Sequence, residues 1–368
     1  MVVRSRIRAF GLVAIIILIG IVSACTASDE RFATETAGSS DAALSTATLT
    51  PSGDPLMIGG DPVLRVYVPE LEGPARYALT AGWLYRRDGH DWIATNAATD
   101  DRWILVDPSR PDRLFRGDHP ACSEDADSKP ITFSKSIDGG DTWRAIPGGD
   151  NIRPLIVDPT LGDVIYGSDC GLAISTDAGE NWRAYYRSRG HTVVDAVVVG
   201  ERLLVLEISE SGRGRVRKIN VTVPEDPELD TILFETGHVF DLDAKPERIV
   251  VAGMEGISVS VDNGETWTTS RSGIEDVTLE SIDDLPPQPA GETQPAFGVL
   301  AVRFDPINSR RIFAGTVRGL YISQDAGLTW DSYSKIQLDT RVLDIQFAAG
   351  GNDVYVTTPD GVTIVPNP

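Results

Sequence analysis

The sequence predicts an all-β fold: a single seven-bladed β-propeller of four-stranded antiparallel blades, with six or eight blades as the alternatives. Two observations predict it. An eight-residue string returns at blade spacing, and a longer unit of short apolar strands surrounds each copy. The string reads SIDGGDTW at 136–143, STDAGENW at 175–182, SVDNGETW at 260–267 and SQDAGLTW at 323–330. The shared frame is S-x-D-x-G-x-(T/N)-W. A degraded copy, YRRDGHDW at 85–92, keeps Gly89 and Trp92 but has Arg87 in place of the acid.

The four acids, Asp138, Asp177, Asp262 and Asp325, lie 39, 85 and 63 residues apart. The longest gap reads as two units with one octet lost, and the last as one unit plus an insertion. Around each octet runs an apolar strand, an Asp-Pro turn, a second strand, a glycine-bearing turn, a third strand, the octet and a fourth strand. LIVDPTLGDVIYGSDCGLAIS at 155 and VRFDPINSRRIFAGTVRGLYIS at 302 show this frame. Proline after Asp107, Asp158 and Asp305 holds the preceding residue extended, which suits a strand leaving into a turn. Four-strand units at about 40–50 residues indicate propeller blades. The units' central strands run through Trp83, Phe133, Ala173, Val216, Val259, Tyr321 and Val362. The fourth of these units has no octet, and the charged stretch Ser211–Lys218 takes its place. The last unit supplies three strands, so PLMIGGD at 55–61 is expected to complete it and hide two open edges.

The octet itself reads as a brace. Gly140, Gly179, Gly264 and Gly327 permit the left-handed turn between two strands. The aspartates can accept backbone N–H groups, as Asx side chains do, with Ser136, Ser175, Ser260 and Ser323 and with Thr142, Thr266 and Thr329 closing the loop. Trp143, Trp182, Trp267 and Trp330 are large plugs between sheet and turn. Acids spaced around a ring cannot converge on one substrate. The octet also lacks the alternating acids and terminal glutamate of a calcium loop, and neither metal nor cofactor is expected.

Three segments are expected. Residues 1–24 form a signal peptide: Arg4, Arg6 and Arg8 precede an apolar run too short for a comfortable span of about 20 residues. Val22-Ser23-Ala24-Cys25 resembles a bacterial lipobox, which implies lipidation of Cys25. Residues 25–54 are rich in Ser, Thr and Ala, too poor in apolar groups to bury a core, and read as a tether. Residues 55–368 form the propeller. The chain carries 33 basic against 54 acidic side chains, a formal charge of −21. That is adverse to nucleic acid, whose affinity rests on phosphate neutralisation. Cys122 and Cys170 then remain as an even pair in an exported protein, and both follow the second strand of adjacent units, which makes a disulfide expected. The loop it closes could contribute roughly 4 kcal/mol.

The frame S-x-D-x-G-x-T-W is identified as the Asp-box, or BNR repeat. With its Asp-Pro turns, the chain resembles the photosystem II stability/assembly-factor type of Asp-box propeller. It is more distantly similar to sortilin-type, sialidase and xyloglucanase propellers. The resemblance implies a WD40/YVTN-like ring in which Asp-boxes are structural and lie opposite the binding face. That face would hold Asp118, His119, Arg187, Arg189, His191, Arg213, Arg215 and Arg318, with the Pro-rich insertion at 276–298 reaching over it. The sialidase Arg-Ile-Pro and Tyr–Glu frames have no match in this sequence, nor do Ser-His-Asp, P-loop or H-E-x-x-H frames, so no catalytic residue is assigned. The expected function is that of a non-enzymatic, membrane-tethered extracytoplasmic scaffold, monomeric, binding a protein partner at the cell envelope. A sialidase/BNR-type glycoside hydrolase and a glycan-binding module are the alternatives.

Overall fold

The structure is a computed structural model. It describes residues 54–68, 74–98, 103–118, 130–187, 190–209, 211–220, 228–274, 277, 298–334, 338 and 340–368. The signal segment, Cys25 and its tether, Cys122 and most of the Pro-rich insertion lie outside these residues.

A short hairpin, β1 (Met57–Ile58) and β2 (Asp61–Pro62), precedes the first sheet. That sheet is β3 (Arg65–Tyr67), β4 (Tyr77–Leu79), β5 (Trp83–Asp88) and β6 (Asp91–Ala98). The second is β7 (Trp103–Val106), β8 (Leu114–Gly117), β9 (Ser134–Ser136) and β10 (Arg144–Ala145). The third is β11 (Arg153–Val157), β12 (Ile165–Ser168), β13 (Leu172–Ser175) and β14 (Arg183–Tyr186). Next come β15 (His191–Val199), β16 (Arg202–Ser209), β17 (Arg213–Asn220), β18 (Glu228–Lys245), β19 (Arg248–Gly253), β20 (Gly256–Ser260) and β21 (Thr268–Ser270). They are followed by β22 (Val299–Phe304), β23 (Ile312–Thr316), β24 (Gly319–Ser323) and β25 (Asp331–Ser332), then β26 (Asp344–Phe347), β27 (Asp353–Thr358) and β28 (Gly361–Pro366). Every pairing is antiparallel and joins strands consecutive in sequence, so each sheet is a meander.

The fold is an all-β propeller, but the expectation of seven separate four-stranded blades is overturned, and with it the alternatives of six and eight. Five sheets reach four strands or more, giving five full blades; the sheet β26-β27-β28 stops at three. The physical reason is β18. Its 18 residues pair with β17 through His238 and with β19 from Val239 onward, so one continuous strand carries two repeat units in a seven-stranded sheet. The charged stretch Ser211–Lys218 is not an octet substitute. Most of it is strand β17, whose arginines alternate with buried Gly214 and Val216.

The ring closes between the first and last sheets. Ile58, Val63, Val66, Ala78 and Trp92 share one apolar cluster with Tyr355, Val362 and Ile364. The N–H of Leu56 donates to the Val362 carbonyl, and that of Val362 to the Val63 carbonyl, each at 2.7 Å. Residues 55–63 thus lie along β28 through a single bridge and isolated bonds rather than as a full ladder strand.

Four octets have the same internal geometry. The Ser hydroxyl donates to the Asp Oδ1 at 2.8 Å in each copy and accepts the glycine N–H at 2.7–2.9 Å. The carboxylate also takes the backbone N–H and the side chain of Thr142, Asn181, Thr266 or Thr329. The residue before each glycine, Gly139, Ala178, Asn263 or Ala326, has φ between 59° and 73°. This left-handed turn aims its N–H at the turn between the two preceding strands, at the carbonyls of Asp112, Asp163 and Arg310 in Asp-Pro turns and of Glu247 in the Lys245-Pro246 turn. The glycine then meets the preceding sheet. A Cβ on Gly179 would lie 3.0 Å from the Phe115 ring, and one on Gly327 2.6 Å from Val259.

The Asp-Pro turns are braced in turn. Asp107, Asp158 and Asp305 each accept the N–H groups two and three residues on. Arg113, 6 % exposed in its side chain, pairs with fully buried Asp107 and crosses to the carbonyl of Gly162 and to Asp163 of the third sheet. Arg311 repeats the arrangement between Asp305 and Asn367.

Two expected outcomes follow from these contacts. Arg113→Ala leaves a buried carboxylate uncompensated and should lower unfolding stability by about 3–5 kcal/mol, read from urea midpoints. The hydrogen bonds from Thr142 hold Asp138 down to about 2, below the ordinary aspartate value of about 3.9. Its stabilising contribution is therefore present above about pH 4 and lost as pH falls through about 2. Melting temperatures across that interval should fall, and Asp138→Asn should flatten the fall.

Candidate functional site

Each full octet joins the last two strands of its sheet, so the ends at which first strands begin lie on the opposite face. The structure puts Asp118, Arg187, His191, Arg213 and Arg318 at strand ends on that face. Arg187 pairs with Asp169 at 2.7 Å, and Arg318 sits exposed at the β23–β24 turn. His119 and Arg189 lie outside the described residues. Arg215 is drawn inward, where it and Arg217 surround Glu207, a fully buried acid that also accepts the Tyr186 hydroxyl at 2.7 Å. Cys170 is disulfide-bonded, to a cysteine outside the described residues.

The first strands line the propeller axis, and their side chains form a charged circuit. Arg65 on β3 lies 4.2 Å from the centre of the Trp103 ring on β7, and Arg153 on β11 lies 4.1 Å from the same centre. Arg65 faces Asp344 on β26 at 3.8 Å. Asp344 in turn meets Arg303 on β22 at 3.3 Å, and Arg303 pairs closely with Asp241 on β18. Asp195 on β15 feels both Arg303 and Arg153. The acids also do mechanical work. Asp241 and Asp243 accept the backbone N–H groups of Val302 and Phe304, at 2.8 and 2.7 Å, joining β18 to a strand outside its own sheet.

Local backbone irregularity aims these groups. The strands β11, β15, β18 and β22 each break register once against the strand that follows, and Asp195 and Asp241 directly follow their breaks. A bulge bends the strand and redirects the side chains beside it. Burial pushes the Asp195 and Asp241 carboxyls up, to about 6 and about 7, against the pull of Arg303. Burial likewise works against the Arg303 charge, but Asp241, Asp344, Asp243 and Asp195 together hold it well above its ordinary value.

Sequence reading missed this circuit. Its signals were present: Asp195 interrupts the apolar run HTVVDAVVV, and Arg303 sits in VLAVRFDP. A charge inside an apolar strand means a channel or a buried pair, and sequence alone does not choose. Among the described residues no group of three or more His, Cys, Asp or Glu could hold a metal ion. A groove of about 360 Å³ on the octet face is lined by Arg76, Arg86 and Asp138, but Arg76 is bound to Asp112 and Arg86 to Asp141.

No family model and no curated protein matches the sequence. Solved structures do match. A GH74 xyloglucanase from Xanthomonas campestris is 18 % identical with a TM-score of 0.55, over 85 % of this chain and 53 % of its own. YCF48 bound to D1 peptide is 14 % identical with a TM-score of 0.52, over 83 % of this chain and 95 % of its own. U3-55K is 12 % identical with a TM-score of 0.56, over 84 % of this chain and 99 % of its own. The chain thus spans about half the length of the xyloglucanase. At these identities the likeness establishes a β-propeller.

Removing the hub of the circuit should expose its electrostatics. Arg303→Met strands buried acids and should cost about 3 kcal/mol at pH 8. The defect should shrink toward pH 5, as the raised carboxyls take up protons and lose their need of a partner. Urea midpoints at the two pH values measure it.

Proposed function

We propose that this chain is a non-enzymatic propeller, held outside the cytoplasm by a lipid on Cys25, which binds a protein partner on the face opposite its octets. The observation that carries the reading is the cluster where the first strands begin. Arg65, Trp103 and Arg153 gather on the same face as Arg187, Arg213 and Arg318, so a strongly acidic protein concentrates cations and an aromatic ring there. Arginine and tryptophan are the residues that most often anchor interfaces. The octet carboxylates are consumed by their own turns and serve as braces. The likeness to YCF48 over nearly its whole length lends support, because that protein is a propeller of similar extent with a peptide bound. The likeness to a GH74 xyloglucanase supports a second reading, a glycoside hydrolase acting with a further module.

Crosslinking from membranes should recover a partner with the unmodified chain, and Arg187→Glu with Arg318→Glu should abolish capture at unchanged melting temperature. Ile137→Ser on the octet face should leave capture intact. Turnover in a parallel glycoside panel would instead favour the hydrolase. Cys25→Ala should release the protein from the membrane fraction, and an intact unlipidated N-terminal peptide by mass spectrometry would remove the anchor.

A further inference from the structure

We propose that Asp195 is a proton switch on the propeller axis: neutral, it leaves Arg303 to tie β18, β22 and β26 together, and ionised, it competes for that guanidinium. The inference concerns the ring itself and depends on neither the lipid nor a partner.

Charge on the axis is out of balance. Four carboxyls, Asp195, Asp241, Asp243 and Asp344, act on Arg303. The other cations stand farther off. Arg65 lies 3.8 Å from Asp344, Arg153 and Lys245 act through space on Asp195 and Asp243, and Asp118 offsets part of the Arg153 charge. The adjoining strand β16 brings no relief to Asp195, because its Glu207 is turned to Tyr186, Arg215 and Arg217. One guanidinium in contact does not balance four enclosed carboxylates, and a carboxylate without compensation takes up a proton.

The contacts single out which carboxyl takes it. Asp241 pairs with Arg303 and accepts the Val302 N–H at 2.8 Å. Asp243 accepts the N–H groups of Phe304 and Ala244, at 2.7 and 2.8 Å. Asp344 accepts from Arg303, the Ile345 N–H and the Gln346 amide. Each of these bonds favours the ionised form. Asp195 has the fewest. It accepts the N–H of its own neighbour, Ala196, at 2.8 Å, and among the described residues Arg303 and Arg153 reach it only through space. Burial pushes Asp195 and Asp241 up, to about 6 and about 7, and the two titrate as a pair. The proton of that pair sits on Asp195, since Asp241 is held by its guanidinium.

Ionisation of Asp195 has a structural consequence. Arg303 spans Asp241 on β18 and Asp344 on β26 from its own place on β22, so one side chain joins three sheets. A third carboxylate in range of the same guanidinium weakens that junction. An unfolded aspartate titrates at about 3.9. From there to about 7 the folded chain binds more protons than the unfolded one, so stability falls as pH rises.

The test compares urea midpoints of the full chain at about pH 5.5 and about pH 8. The midpoint of the unmodified chain should fall between the two. Asp195→Asn, which keeps the shape of the neutral acid, should remove at least half of that fall and exceed the unmodified chain at the higher pH. Asp241→Asn, which loses the pair with Arg303, should lower the midpoint at both. Asp138→Asn, in an octet, should leave the size of the fall unchanged. Carboxyl-carbon NMR of the folded chain should show Asp195 titrating above about pH 5, and Arg153→Gln, which removes a supporting charge, should move that titration further up. A midpoint that holds or rises toward the higher pH, an Asp195→Asn chain less stable there than the unmodified one, or an Asp195 resonance that completes its titration below about pH 5 would each overturn the proposal.

Discussion

The octet face of this propeller depends on one hydrogen bond made four times: a left-handed residue inside the octet gives its N–H to a carbonyl of the proline-bearing turn between the two preceding strands. Everything else in the octet prepares that bond. The serine and aspartate fix the turn's shape, and the threonine or asparagine holds the carboxylate in place. The adjoining glycine removes the one side chain that would keep the neighbouring sheet away. A contact local in sequence thus becomes a contact between sheets. Each sheet's outer hairpin is pinned to its own inner hairpin and pressed on the sheet before it, which fixes spacing around the ring without any ladder between blades.

A second constraint governs the interior. The chain is strongly acidic, yet its arginines are spent inward. Arg113 and Arg311 tie Asp-Pro turns to the next sheet, Arg215 neutralises Glu207, and Arg303 gathers the channel acids. Many surface carboxylates stay solvated, while the buried ones are bound to cations or to backbone donors. This division explains how a net charge of −21 coexists with a tightly packed ring.

The octets were legible because their bonds span two to four residues, so the pattern that makes the turn also spells it. The Asp-Pro turns were legible for the same reason. The circuit was not, because each of its members occurs once and finds its partner on another sheet. Arg65 and Asp344 are 3.8 Å apart in space and far apart in the chain. Blade number failed for a different physical cause. Residues 228–245 lack a proline or a paired-glycine stop between units, and β18 simply continues across the boundary. The charged stretch Ser211–Lys218 looked like a loop by composition, although its arginines fall on alternate positions, which is the period of a strand.

That continuous strand and the thin closure at β28 set up a mechanical asymmetry. On one side of the ring two repeat units are joined by one continuous strand, β18. On the other, the first and last sheets are stitched by isolated bonds at Leu56, Val63 and Val362. The described residues begin beside that stitching, so a pull on Asp54 would load isolated bonds and a single bridge rather than a ladder.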